Sequence, residues 1–79
     1  MSQINLENFK RLEKERNIVH SKVTATYSVF YELGEKYFQI DTYGNSDRKM
    51  PEKSSQSFQM DRTTAKYLLD LIIKDFDLK

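Results

Sequence analysis

Residues 19–31 read Val-His-Ser-Lys-Val-Thr-Ala-Thr-Tyr-Ser-Val-Phe-Tyr, and their period of two decides the fold. Val19, Ser21, Val23, Ala25, Tyr27, Val29 and Tyr31 fall on one face. His20, Lys22, Thr24, Thr26, Ser28 and Phe30 fall on the other. Such alternation, rich in β-branched and aromatic residues, is the pattern of a half-buried strand. Glu32-Leu33-Gly34-Glu35 follows as a short turn, with Gly34 free to take positive φ. Residues 36–43 alternate again: Phe38, Ile40 and Thr42 point to the core, and Tyr37, Gln39, Asp41 and Tyr43 point away. Two strands joined so closely predict an antiparallel hairpin.

Gly44-Asn45-Ser46-Asp47 ends the second strand, and a polar loop runs through Arg48, Lys49 and Pro51 to about residue 54. Residues 55–60 predict a third strand, with Gln56, Phe58 and Met60 on one face and Ser55, Ser57 and Gln59 on the other. Asp61 suits a helix N-cap, because its carboxylate accepts the free N–H groups of the next turn. The helix predicted over 62–76 puts Ala65, Leu68, Leu69, Ile72 and Phe76 on one face, with Ile73 at its border. Tyr67 and Leu71 form a second, narrower stripe, read as a dimer contact. Upstream, residues 3–17 are expected to be helical. Leu6, Phe9 and Leu12 recur at spacing three, and Glu7/Arg11 and Arg11/Glu15 pair at i,i+4.

The expected class is α+β, in one domain spanning 1–79. A curved antiparallel sheet of three to four strands carries the C-terminal amphipathic helix on one face, with the N-terminal helix beside it. Leu68, Leu69 and Ile72 are expected to bury against Val23, Ala25, Tyr27, Ile40 and Phe58. A sheet this small has exposed edges, and dimerisation would protect them.

Composition narrows the function. Thirteen Lys+Arg against twelve Asp+Glu leave +1, too little for a generic polyanion binder. There is no Cys, hence no disulfide, thiolate metal site or thiol nucleophile, which fits a reducing cytoplasm. No apolar run approaches a membrane span, and no signal-peptide core follows Met1. His20 is the sole histidine and has no local nucleophile or orienting carboxylate. We expect no enzyme, no metal and no cofactor.

The polar sheet face is the informative surface. Phe30, Tyr37 and Tyr43 are interleaved there with Lys22, Thr24, Thr26, Gln39, Ser57 and Gln59. Aromatics among hydrogen-bonding and basic side chains can stack and hold single-stranded nucleic acid. Arg48, Lys49 and Lys53 in the adjoining loop would contact phosphates. The competing reading is that Tyr and Thr are favoured in any strand, and that a charged loop is simply solvated.

Gln39-Ile40-Asp41-Thr42-Tyr43-Gly44, then Asp47-Arg48, Pro51, Lys53, Ser55-Gln56-Ser57 and Gln59, is similar to a motif of a family of short, uncharacterised bacterial proteins. That family's pattern has Gly where this chain has Glu52. More distantly, the order strand, basic loop, short strand, helix from Tyr37 to Ile73 resembles the positive cofactor four (PC4-like) family. The resemblance implies a small homodimer that binds single-stranded DNA. Read from the sheet face, the loop and the second helix stripe, the expected site is Lys22, Tyr37, Tyr43, Arg48, Lys49, Lys53 and Gln59, with Tyr67 and Leu71 at the dimer contact. The alternative is a protein-interaction or adaptor subunit of a DNA-processing or phage-defence system, without nucleic-acid contact.

Overall fold

The computed structural model describes residues 1–44 and 56–78. Strands β1 (Ser2–Gln3), β2 (Ala25–Glu32), β3 (Glu35–Thr42) and β4 (Gln56–Asp61) precede one helix, α1 (Arg62–Phe76). They form one open sheet in the order β1-β4-β3-β2. The β2–β3 and β3–β4 pairings are antiparallel, and β1 joins β4 in parallel. The class is α+β, as expected, but the sheet is mixed. Its fourth strand comes from the N-terminal segment Ser2–Gln3.

The N-terminal helix does not form. Residues 3–17 give only the end of β1 and a single 3-10 turn, Leu6–Asn8. Asn5 caps that turn by accepting the Glu7 backbone N–H at 3.1 Å. Ile4 N–H donates to Gln59 O at 2.9 Å, so the sheet edge claims this backbone before a helix can. The surface pairs that favoured a helix are each worth only about 0.2–0.5 kcal/mol. Arg11 instead meets Glu13 at 2.7 Å, an i,i+2 pair that no α-helix presents.

The long strand is also shorter than its alternation. Pairing runs from Ala25↔Thr42 to Glu32↔Glu35, with one further bond from Tyr43 N–H to Thr24 O at 2.9 Å. Residues 19–23 keep the strand pattern and are exposed outside the ladder. The turn holds two residues, Leu33 at φ 53° and Gly34 at φ 82°. Positive φ at both central positions matches the right-handed twist of the flanking strands.

Register sorts the sheet into two faces. Tyr27, Val29, Phe38, Ile40, Phe58 and Met60 share one, and Phe30, Tyr37, Gln39, Asp41, Ser57 and Gln59 share the other. The helix runs over 62–76 as predicted. Asp61 caps it, accepting the Thr64 N–H at 2.9 Å. Asp77 at φ 57° closes it, and Leu78 N–H reaches back to Ile73 O at 3.0 Å. Its early turns lie on the apolar face, where Ala65 borders Val29, Phe38 and Met60. Met60 is 2% exposed, the one fully buried apolar side chain among the described residues.

The expected core is only partly assembled. Leu68 is half-buried, but Leu69 is 52% exposed, and Val23, Tyr27 and Ile72 are also open to solvent. The helix contacts β3 and β4, while β2 extends beyond it.

Leu33 bears the strain of the hairpin, because a branched side chain at positive φ costs about 1–2 kcal/mol. Leu33→Asn should stabilise the protein by about 1 kcal/mol, raising Tm by about 4–8 °C. A calorimetric scan showing no rise would mean that Leu33 carries no such strain.

Candidate nucleic-acid interface

The polar face owes its order to one carboxylate. Asp41 lies opposite Ser57, and Gln39 lies opposite Gln59. Ser57 Oγ donates to Asp41 Oδ1. Gln39 Nε2 donates to the same oxygen at 2.9 Å, and Gln59 Nε2 donates to Gln39 Oε1 at 2.8 Å. An ionised carboxylate only accepts, so it fixes which end of each amide points towards it. The relay runs Gln59 to Gln39 to Asp41, across two strands. Donation from Ser57 first, and from Gln39 second, holds the Asp41 carboxyl below its ordinary pKa.

Aromatic rings flank this relay. Phe30 and Tyr37 are direct cross-strand partners and stack with centroids 5.5 Å apart and planes 24° apart. Tyr43 follows β3, its hydroxyl 3.0 Å from Thr26 Oγ1. The structure therefore brings together Tyr37, Tyr43 and Gln59 of the expected site, on the side away from α1. Lys22 is exposed in the segment before β2. Arg48, Lys49 and Lys53 lie outside the described residues.

Charge on this face departs from expectation. The described strand residues contribute four carboxylates, Glu32, Glu35, Asp41 and Asp61, and no cation. Asp61 is committed to capping α1, and the Thr64 backbone N–H lowers its pKa. Asp41 is committed to the relay. Its partners are Ser57 and Gln39, a pattern visible in the shared parity of 39, 41, 57 and 59.

Tyr67 and Leu71 sit on one flank of the helix. Phe9 meets the Tyr67 ring edge-on at 5.9 Å, so a residue of the same chain already packs on the stripe expected to contact a dimer partner. His20 is exposed and lies before β2. Among the described residues no group of three His, Cys, Asp or Glu side chains is placed to hold a metal. No described helix is long and apolar enough to cross a membrane.

No protein-family model, no curated protein and no solved structure matches this chain.

A carboxyl with a lowered pKa binds its proton less readily folded than unfolded. Its contribution to stability is complete above the ordinary aspartate value and is lost as pH falls through the lowered one. Ser57→Ala should therefore raise the Asp41 pKa in an NMR titration, and Asp41→Asn should flatten the loss of stability below about pH 4. An Asp41 titration unmoved by Ser57→Ala would remove Ser57 from the relay.

Proposed function

We propose that the chain is a non-enzymatic homodimer that binds single-stranded nucleic acid on the polar sheet face. The observation that carries this reading is the placement of the Phe30–Tyr37 stack and Tyr43 on that face, away from the helix. Bases stack on such rings whatever their sequence, because every base has a π-face. Gln39 and Gln59, oriented by Asp41, offer hydrogen bonds to base edges between the rings. Lys22 and the loop residues Arg48, Lys49 and Lys53 supply the phosphate contacts. A shallow sheet offers nothing shaped to enter a duplex groove, so single strands are the preferred form.

The four strand carboxylates favour a second reading, a protein-interaction or adaptor subunit. Phosphates approaching Asp41 meet its negative charge, which sets a weak, salt-sensitive affinity for nucleic acid. That repulsion separates the two readings, because removing it aids only a polyanion.

Fluorescence polarisation with labelled single-stranded DNA and RNA at low salt is the test. Binding should be micromolar and tighter than to duplex. Tyr43→Ala should cost about 1–3 kcal/mol, the worth of one stacked base. Lys22→Ala should weaken all sequences alike and reduce the salt slope by about one. Asp41→Asn should tighten binding. If neither nucleic acid binds below about 100 μM, the upper end of ordinary non-specific affinity, the adaptor reading replaces this one.

A further inference from the structure

We propose that a second copy of this chain docks in the open apolar groove between β2 and the outer stripe of α1. This gives the homodimer a surface and rests on that part of the reading alone, whether or not nucleic acid binds.

The groove follows from two periodicities. On the sheet, Tyr27, Val29 and Tyr31 alternate onto the apolar face of β2, where Val29 borders Ala65 of α1. On the helix, at about 100° per residue, Leu69, Ile73 and Phe76 lie within about 80° of Ala65. Tyr67 and Leu71 lie about 120–160° away, on the flank that Phe9 covers. Ala65 shares an open hollow of about 300 Å³ with Val29, Phe38 and Met60. Ala65 faces Val29 of β2 across that hollow, and the open stripe of Leu69, Ile73 and Phe76 continues from Ala65 along the helix.

Both walls are open in the single chain. Tyr27 is 71% exposed, Tyr31 67% and Phe76 72%. Counting roughly 200 Å² for a fully exposed side chain of this size, the six residues present about 700 Å². A standard interface buries about 800 Å² on each partner.

Two arguments choose a second copy over a foreign protein. With Met60 as the one fully buried apolar side chain described, the described residues form little core, and covering the groove would extend it. Such a cover serves folding only if it is always present, and another copy of the chain is present whenever the chain is made. The net charge of +1 sets almost no repulsion between copies. Lys66 and Asp70, beside the stripe, are already paired to each other at 2.8 Å.

Sedimentation equilibrium of the full chain tests this, with Phe76→Lys, Ile73→Lys and Leu71→Glu as variants. The parent should sediment at twice its 9.4 kDa mass. Phe76→Lys and Ile73→Lys should weaken the dimer roughly 100-fold, because each buries an unpaired charge. Leu71→Glu, on the Phe9 flank, should leave dimer affinity within a few-fold. Phe76 is largely exposed in the single chain, so unfolding of a dimeric parent by Phe76→Lys would also show that its side chain is covered in solution. A monomeric parent overturns the proposal, and so does a dimer unaffected by both lysines or broken by Leu71→Glu alone. Oligonucleotide titration of the same samples reads nucleic-acid binding separately: a monomer that binds, or a dimer that does not, fails only one of the two claims.

Discussion

The backbone ladder between β3 and its two neighbours decides the side on which every strand residue lies. Tyr27, Ile40 and Phe58 are held in one cross-strand row, and Asp41 faces Ser57 in the next row, on the opposite side of the sheet. A slip of one residue would exchange the two faces. The hairpin turn at Leu33 and Gly34 fixes the register on one side, and the Asp41–Ser57 and Gln39–Gln59 hydrogen bonds reinforce it on the other. All other features inherit this sorting: where α1 can bury Met60, which rings are left open, and where the polar relay forms.

The two faces are then unequal to their tasks. The apolar face is wider than the early turns of one fifteen-residue helix can cover. The polar face is satisfied internally, since Asp41, Gln39 and Gln59 exchange hydrogen bonds that an approaching ligand need not replace. A surface with such bonds already made loses little on contact and gains mainly from stacking. The proposed division of labour follows, with one face for self-association and the other for a ligand.

Sequence periodicity was sufficient wherever a local rule and the long-range pairing agreed. Asp61 as N-cap, the span of α1, Gly34 at positive φ and the parity of every strand residue were legible for that reason. The N-terminal segment was not. Leu6, Phe9 and Leu12 suggested a helix, but pairing of Ser2 and Gln3 with β4 and packing of Phe9 on Tyr67 are tertiary effects without a local signature. Residues 19–23 show the converse: their alternation is flawless, yet the described strand β2 begins only at Ala25. The acidity of the polar face was readable from the parity of Glu32, Glu35, Asp41 and Asp61. Only the register, though, places those four carboxylates on one surface.

The five tyrosines report on both faces at once. Tyr27 and Tyr31 line the apolar groove, Tyr37 and Tyr43 belong to the polar face, and Tyr67 sits under Phe9. Tyrosine-selective labelling, resolved by mass spectrometry at low and high protein concentration, reads each in the intact protein. Tyr27 and Tyr31 should react at low concentration and become protected at high concentration, while Tyr43 stays reactive until single-stranded DNA is added. Labelling of Tyr27 and Tyr31 that follows their exposure at every concentration, or protection of Tyr43 without nucleic acid, would contradict the assignment of the two faces.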